Sequence, residues 1–368
     1  MTDRLTPDEL FALPPDSPRL LDRSWTVDWP RHPGAVRDLG GSLLPPLVRF
    51  TTSGSTGRPV PWYRTREQLL TEAGMLADLL SDFEPEAVMT FAPPKHLYGM
   101  LTSVLVPALL GIRVWYLPKF AALPPPGPRR WAVVAIPWTF PILAKRLGWF
   151  DTVEHIAFLH STSVLPRTAA ELLEVLGERA TLTEIFGSTE TGGVAHRRWT
   201  PKDPPWNLFP DVEFASADGS GEEARLTVRS PRLASRAGGR TAREWTMDDH
   251  VVRSGERSFG FAGRRTRLVN VNGRRVDLDG LEEHLREVVT CDDLACLPVP
   301  DPMTGEHFEL LIAPGPEGVR DPETLVRSAA AVGPRPRAVR VVERIDRSET
   351  GKLRRVQTVH ARSEGVDI

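Results

Sequence analysis

The chain has 368 residues, of which 40% are hydrophobic and 26% are charged, and its formal net charge is −2. These values are typical of a soluble globular protein with room for two or three domains, and they indicate neither a nucleic-acid partner nor an anionic membrane surface. The two cysteines, Cys291 and Cys296, form no CxxC pair, which argues against a disulfide scaffold or a thiolate metal site and favours a cytoplasmic location.

The apolar pattern of the first half of the chain predicts alternating helices and strands. In chain order these are a helix over 67–83, a strand over 87–91, a helix over 101–110, strands over 113–117, 131–137 and 155–160, a helix over 168–176 and a strand over 182–186. This alternation predicts an α/β fold with a largely parallel sheet, and functional loops at the ends of its strands.

The pattern changes beyond Asp211. Short strands are predicted over 212–214, 224–229 and 244–246, with a tight turn at 217–219. A charged stretch around Gly263 indicates a domain junction, so we predict a large domain over 1–263 and a small α+β domain over 264–368. The elements predicted in the small domain are helices over 278–289 and 322–331 and strands over 308–312 and 339–342.

A run of hydroxyl and glycine residues, FTTSGSTGRP, occupies residues 50–59. Gly54 and Gly57 permit the positive φ and close backbone approach with which such a loop wraps N–H and O–H donors around phosphate oxygens. A surface linker is the alternative interpretation. A Walker loop is excluded because the chain contains no GxxxxGK[ST].

A second segment, EIFGSTETGG over residues 184–193, ends a predicted strand. Phe186 offers an aromatic face on which a purine can stack, and Thr189 can bond a phosphate. Glu190 is a hard oxygen ligand suited to Mg²⁺. The alternative is an ordinary helix N-terminus capped by Ser188 or Thr189.

The two segments, in this order, resemble those of the adenylate-forming superfamily, which includes acyl-CoA synthetases, peptide-synthetase adenylation domains and luciferases. Further segments match in sequence order: APPKHLYG (92–99) resembles the acyl-pocket segment, TMDD (246–249) the ribose-binding segment, FAGR (261–264) the hinge entry, NGRRV (272–276) the following turn and DRSETGK (346–352) the catalytic-lysine motif. The resemblance implies a large domain of mostly parallel sheets with helices and a small β subdomain, followed by a small mobile domain.

The resemblance also implies ATP and Mg²⁺ as cofactors and a role for each matched residue. The catalytic residues would be Lys352, Thr189 and Glu190, with Glu190 also the metal ligand. The cofactor-binding residues would be Thr52, Ser53, Gly54, Ser55, Thr56, Gly57, Phe186, Gly187, Asp249 and Arg264. The substrate pocket would comprise His96, Tyr98, Gly99, Ser161 and Ser188, although His96 can also be a core histidine and Lys352 a solvated loop lysine.

The activity implied is AMP-forming activation of a carboxylic acid, followed by transfer to the phosphopantetheine thiol of CoA or of a holo acyl carrier protein. No carboxylate occurs in the pocket segment to pair a substrate ammonium, so an aryl or acyl acid is favoured over an α-amino acid. The alternatives are an adenylating enzyme with an amine or another nucleophile as acceptor, and a degenerate nucleotide-binding scaffold.

The chain departs from the family pattern at several positions, and its phosphate loop begins so early that it resembles a compact, N-terminally shortened member. Val60 stands at the loop-lysine position, where we expect nearby Arg64 to replace the charge. Asp248 stands where glycine is usual, and Thr266 and Asn270 replace the hinge aspartate and a nearby lysine.

Other functional classes lack support in the sequence. The longest apolar stretch, residues 101–115, is short and interrupted by Pro107 and Arg113, so no membrane segment is expected. No HExxH motif predicts a zinc site and no GxSxG motif predicts a serine hydrolase.

Overall fold

The computed structural model describes residues 2–52, 60–118, 121–125, 127–162, 165–215, 221–238, 241–264, 267–271, 274–289, 291–301, 305–314, 333–347, 353 and 365–367. The strands are β1 (Asp3–Leu5), β2 (Trp25–Val27), β3 (Leu47–Thr52), β4 (Val60–Thr65), β5 (Ala87–Thr90), β6 (Arg113–Tyr116), β7 (Arg130–Ala135), β8 (His155–His160), β9 (Ala180–Ser188), β10 (Gly192–Arg198), β11 (Trp206–Leu208), β12 (Glu213–Phe214), β13 (Glu223–Arg229), β14 (Trp245–Arg253), β15 (Ser258–Arg264), β16 (Leu268–Val271), β17 (Arg274–Asp277), β18 (Asp293–Asp301), β19 (Gly305–Ala313), β20 (Ala338–Val341) and β21 (Gly365–Asp367).

The α-helices are α1 (Pro7–Ala12), α2 (Pro18–Leu21), α3 (Ala35–Leu39), α4 (Arg66–Ser81), α5 (Leu97–Gly99), α6 (Val106–Leu110), α7 (Thr139–Ala144), α8 (Arg167–Leu176) and α9 (Leu278–Val288). Short 3₁₀ helices cover Trp29–Arg31, Leu147–Thr152 and Gly177–Arg179. A π-helical segment, Met100–Leu105, joins α5 to α6.

One mixed sheet of 13 strands dominates the described residues, in the order β1-β2-β6-β5-β7-β8-β9-β10-β11-β15-β14-β13-β12. Strands β6, β5, β7, β8 and β9 are parallel neighbours, whereas every pair from β9 to β12 is antiparallel. The predicted α/β fold class is therefore confirmed. The parallel part forms the centre of the sheet, and the antiparallel part begins at β9–β10, before the change of pattern at Asp211.

Continuous burial explains the parallel centre. All four residues of β5 are buried, as are five of the six in β7 and in β8, which is expected where helices cover both faces of a parallel sheet. Helix α4 begins with a capping box between Thr65 and Gln68. Its buried residues are Leu69, Glu72, Ala73, Leu76, Ala77 and Leu80.

Two smaller sheets lie beyond β15: the β16–β17 hairpin and a four-stranded sheet in the order β18-β19-β20-β21. The main apolar cluster falls within residues 5–259. A second cluster, within residues 269–339, includes Leu285 of α9 and Phe308 of β19. The boundary between residues 263 and 264 stays a prediction, and the predicted turn at 217–219 and helix over 322–331 lie outside the described residues.

Within the described part of the chain, no helix has the combination of length and apolar character that a membrane crossing requires.

The last residue of β8, His160, is expected to make folding sensitive to acid. It is 1% exposed, and burial lowers the pKa of its imidazole from 6.5 to about 3. Between these two values the unfolded chain binds a proton that the folded chain does not. The free energy of unfolding should therefore fall by about 1.4 kcal/mol for each pH unit through this window as the pH is lowered.

Urea unfolding of the wild type and of His160→Gln between pH 6.5 and pH 4 measures this contribution. The wild type should lose stability more steeply than the variant, since a glutamine side chain does not titrate. Parallel stability curves for the two proteins would show that His160 does not carry the effect.

Candidate active site

The segment that carries Thr189 and Glu190 is the turn of a β-hairpin. Strands β9 and β10 pair with Gly192 opposite Ser188 and Gly193 opposite Gly187. The N–H of Ser188 donates to the Thr191 hydroxyl at 3.1 Å, which closes the turn. The alternative interpretation of this segment as a helix N-terminus is therefore wrong. Thr189 and Glu190 follow the carboxyl end of β9, the last parallel strand.

Gly187 is required by the close approach of the two strands. A Cβ atom at this position would lie 2.1 Å from the carbonyl oxygen of Gly192, a distance at which the backbone itself would have to move. Gly187, which follows the aromatic residue predicted to stack on adenine, thus has a structural function in the hairpin.

The residues that flank the hydroxyl-and-glycine loop form a second hairpin, with Thr52 at the end of β3 opposite Val60 at the start of β4. The loop residues Ser53, Gly54, Ser55, Thr56 and Gly57 lie outside the described residues, and of Thr52 only the backbone is described. Hairpin β3–β4 docks through Tyr63, whose N–H and carbonyl pair with those of Ser235 at 2.9 Å each.

Arg64 connects this second hairpin directly to the Thr189–Glu190 turn. Its Nη2 and Nε donate to the carbonyl oxygen of Thr189 at 3.0 and 3.3 Å. The N–H of Ala234, next to Ser235, donates to the carbonyl of Glu190 at 2.8 Å. The strand that follows the hydroxyl-and-glycine loop thus contacts the Thr189–Glu190 turn, although the two are far apart along the chain.

The expectation that Arg64 replaces the charge of the missing loop lysine is wrong. The Arg64 side chain is fully buried, and its Nη1 contacts Glu72 at 3.5 Å and the carbonyl of Arg232 at 2.5 Å. Burial lowers the pKa of Arg64, against the opposite effect of the Glu72 and Glu190 charges. A guanidinium with no exposed surface, which already donates to Thr189, Glu72 and Arg232, does not present its charge to a bound phosphate.

The predicted pocket residues gather at the carboxyl ends of β8 and β9. The Tyr98 hydroxyl donates to the carbonyl of Leu159 at 2.8 Å, and burial raises its pKa. The Ser161 hydroxyl donates to the carbonyl of Ile185 at 2.9 Å, three residues before Ser188. Because the Tyr98 hydroxyl bonds to the backbone, its ring is the part of this side chain left to meet a substrate.

Two further pocket residues flank helix α5: His96 immediately precedes it, and Gly99 is its last residue. A Cβ at Gly99 would lie 1.9 Å from the carbonyl oxygen of Pro93, so only glycine fits. His96 is half-buried, and its carbonyl accepts from the N–H of Met100 at 2.8 Å. Contact between the His96 imidazole and a substrate stays a prediction.

The predicted ribose carboxylate, Asp249, is 4% exposed on β14 and lies opposite Arg264 of β15. The preceding Asp248 instead faces solvent and pairs with Arg225 at 2.9 Å. Successive side chains of a strand point to opposite faces. Asp249 therefore points inward, whereas Asp248 points outward. Of Arg264 only the backbone is described.

Phe186 belongs to an aromatic cluster on the antiparallel side of β9. Its ring centroid lies 5.5 Å from that of Trp206, 5.7 Å from that of Phe259 and 6.1 Å from that of Phe261. These neighbours fix the ring orientation, and the residue keeps partial exposure. Stacking on adenine stays a prediction.

The catalytic-lysine segment is described only at its two edges. Arg347 and Leu353 form an isolated antiparallel bridge, and Arg347 binds both carboxylate oxygens of Asp293 at 2.5 and 2.9 Å. Lys352 and the hinge position Thr266 lie outside the described residues, as does the side chain of Asn270.

The residues present fit a Mg²⁺ ion that is shared with phosphates. Among the residues that the structure describes, no three His, Cys, Asp or Glu side chains form a ready-made metal cage. Mg²⁺ is ordinarily held by one or two carboxylates together with substrate phosphates and water. A single carboxylate, Glu190, in a turn that contacts the strand after the predicted phosphate loop, is the donor set that this mode of binding needs.

Comparison with known proteins shows what part of the chain is similar to a known family. Residues 46–223 match the family model of the AMP-binding enzymes. The predicted resemblance to these enzymes is confirmed. The two hairpins described above both lie inside the matched segment.

Individual relatives agree with this result. The chain is 30% identical over 247 residues to a 4-coumarate–CoA ligase of Cereibacter sphaeroides, covering 64% of this chain and 53% of the relative. It superposes on ATP-bound MatB from Rhodopseudomonas palustris with a TM-score of 0.66 at 17% identity, covering 83% of this chain and 66% of that one. It superposes on the McyG A-PCP complex with phenylalanyl-adenylate with a TM-score of 0.65 at 17% identity, covering 83% and 64%. The chain spans about half the length of the curated ligases that it matches.

Sequence reasoning missed three charged residues beside the Thr189–Glu190 turn: Glu72, Asp211 and Arg232. One signal was available. Glu72 falls between Leu69, Ala73 and Leu76 on the apolar face of the predicted helix, where a carboxylate is buried only if it is paired. Nothing in the sequence identifies its partner Arg232, which lies about 160 positions away.

Proposed function

We propose that this chain activates a carboxylic acid with ATP and transfers the acyl group to a phosphopantetheine thiol. The observation that carries the proposal is the bond from Arg64 to the carbonyl of Thr189. It places the strand that leaves the hydroxyl-and-glycine loop against the turn that presents Thr189 and Glu190. On this proposal, a triphosphate bound by the loop would lie within reach of both side chains.

In the first step a carboxylate oxygen attacks the α-phosphorus of ATP, and pyrophosphate leaves. The protein contributes mainly orientation and charge stabilisation to such a transfer. Ser53, Ser55 and Thr56 would hold the β- and γ-phosphates and Thr189 the α-phosphate. Mg²⁺ at Glu190 would neutralise phosphate charge, and Lys352 would bridge the carboxylate and the α-phosphate.

In the second step the thiol sulfur attacks the acyl carbon of the adenylate, AMP leaves, and the thiol proton passes to solvent. We assign the adenylate site to a large domain over residues 1–263. A small mobile domain over residues 264–368 would deliver Lys352. The cytoplasm supplies ATP, CoA and carrier protein, and is the proposed location.

The acid is proposed to be an aryl or acyl acid. The segment Lys95–Tyr98 contains no carboxylate that could pair a substrate ammonium. The ring of Tyr98 and the hydroxyl-lined ends of β8 and β9 suit a flat or hydroxylated acyl group. Support for the acceptor comes from similar proteins: a relative is named 4-coumarate–CoA ligase, and a solved structure of the same fold is McyG A-PCP complexed with phenylalanyl-adenylate.

Acid-dependent release of pyrophosphate from ATP tests the proposal. A panel of aryl, fatty, dicarboxylic and α-amino acids is assayed with Mg²⁺, and each active acid is then offered CoA, a holo acyl carrier protein and a simple amine. We expect release with an aryl or acyl acid and formation of a thioester. Release with amino acids alone would contradict the acid class, amide formation alone would contradict the acceptor, and ATP binding without any release would favour a scaffold.

A further inference from the structure

A group of four charged side chains lies beneath the Thr189–Glu190 turn, and we refer to Arg64, Glu72, Asp211 and Arg232 as the ion cluster. The Arg64 and Arg232 side chains are 0% and 1% exposed, and that of Glu72 is 4% exposed. Arg232 contacts Glu72 at 3.0 Å and Asp211 at 2.7 Å. The two positive and two negative side chains give the ion cluster a formal net charge of zero.

Three members of the ion cluster hold the backbone of the turn. Glu72 Oε1 accepts from the N–H of Gly193 at 2.6 Å, and Arg232 Nη2 donates to the carbonyl of the same residue at 2.8 Å. Arg64 donates to the carbonyl of Thr189 at 3.0 Å. Buried charges therefore hold the backbone at Thr189 in the turn and at Gly193 in β10 just after it, through contacts that do not involve the Thr189 and Glu190 side chains.

Glu72 is the residue that joins these contacts. Its second oxygen, Oε2, lies 3.0 Å from Arg232 and 3.5 Å from Arg64. Burial would lower the pKa of Arg232, but its bonds to Asp211 and the Glu72 charge raise it above the usual value. Without the Glu72 carboxylate, two buried guanidinium groups would face each other with Asp211 as the remaining anion of the ion cluster.

Stability alone is a poor explanation for the ion cluster. Buried ion pairs carry a desolvation cost that often cancels their attraction, and well-packed apolar residues can replace them without loss of stability. What apolar residues cannot supply is an acceptor for the Gly193 N–H and donors for the Thr189 and Gly193 carbonyls. Groups of this kind, behind a metal or phosphate ligand, orient that ligand.

We infer that Glu72 is a positioning residue for phosphate and Mg²⁺ binding, acting on Thr189 and Glu190 through the backbone of their turn. The inference rests on the proposed function in requiring that this turn binds MgATP. It predicts a defect confined to the phosphates, because Phe186 and Asp249, the predicted adenine and ribose contacts, lie outside the ion cluster.

Glu72→Gln is the principal test variant. The glutamine oxygen can still accept from Gly193, but its neutral amide directs N–H groups at Arg64 and Arg232, which are donors themselves. We expect the dissociation constant for MgATP to rise about tenfold or more. Adenosine, which carries no phosphate, should bind the variant and the wild type within about twofold of each other. Both constants are measured by calorimetry or by competition.

Two matched variants separate positioning from folding. Glu67→Gln changes an exposed carboxylate in the first turn of the same helix, α4, and should leave both constants unchanged. Asp211→Asn removes a charge from the ion cluster, yet among the described residues Asp211 bonds to Arg232 and not to the turn. It should lower the melting temperature with a smaller rise in the MgATP constant than Glu72→Gln gives. If Glu72→Gln is unfolded by circular dichroism, Arg64→Lys replaces it, with the same expected selectivity.

Equal loss of MgATP and adenosine binding in Glu72→Gln would overturn the inference, as would MgATP binding at the wild-type level. A wild type that binds no MgATP would overturn both the inference and the proposed function. A wild type that binds MgATP but releases no pyrophosphate with any acid would overturn the proposed function alone. In that case the effect of Glu72→Gln on the dissociation constant for MgATP, relative to its effect on that for adenosine, would still decide the role of Glu72.

Discussion

Lys352→Ala is expected to lower the rate of acid-dependent pyrophosphate release by about 10²–10³-fold, the usual effect of removing a charge that stabilises a transition state. The physical reason is that negative charge accumulates where the carboxylate approaches the α-phosphate. An ammonium between the two groups offsets it only while they react. The rate is measured in single-turnover experiments with saturating MgATP and acid.

Lys202→Ala is the control for this prediction, because Lys202 is an exposed lysine in a turn and its loss should leave the rate unchanged. A second control uses a chemically prepared acyl-adenylate, from which transfer to the thiol no longer involves the triphosphate. If Lys352→Ala releases pyrophosphate as fast as Lys202→Ala does, the role assigned to the C-terminal motif is wrong.

Gly187→Ala is expected to lower the free energy of unfolding by about 3 kcal/mol, at the upper end of the usual cost of inserting an atom into packed structure. The added Cβ would overlap the Gly192 carbonyl oxygen at 2.1 Å and approach its carbon at 2.9 Å. Both are backbone atoms of the paired strand, so relief requires β9 and β10 to separate. Urea unfolding followed by circular dichroism measures the loss.

Gly74→Ala provides the comparison, since a Cβ at this interior position of α4 meets nothing within 4 Å. Alanine there should raise the free energy of unfolding by up to about 1 kcal/mol through helix propensity. If the two variants shift stability alike, the distance between β9 and β10 is not what selects glycine at position 187.

The parallel centre of the fold was predictable because its strands are short, continuously apolar and bounded by turns. The predicted strand over 155–160 coincides with β8, and the predicted helix over 168–176 begins one residue after α8 does. Burial on both faces makes such strands recognisable without knowledge of their partners.

The antiparallel part was predictable only in outline. The strand expected over 244–246 runs from Trp245 to Arg253, because its polar half, Asp248 to His250, is stabilised by pairing with β13 and β15. Hairpin β3–β4 was not predicted either. This hairpin is held in place by contacts with residues far along the chain, such as Ser235. Local sequence patterns do not encode such contacts.

The residues of the candidate site show the same contrast between local motifs and long-range contacts. Motif order predicts Thr189, Glu190 and Asp249 as site residues, since each belongs to a short local segment. The role of Arg64 was misjudged because sequence proximity to Val60 suggested a phosphate ligand, whereas the fold pairs Arg64 with Glu72. The roles of Lys352 and of residues 53–57 stay predictions.

The π-helical segment between α5 and α6 offers a way to change the proposed acid preference in the laboratory. A π turn accommodates one more residue than an α turn, and deleting that residue restores regular winding. Each residue of an α-helix adds a rotation of about 100°. Removal of a single codon within Met100–Leu105 should therefore re-aim the side chains that precede it, Tyr98 among them, without altering hairpin β3–β4 or hairpin β9–β10. Libraries of one-residue deletions here are a compact route to variants that accept other acids.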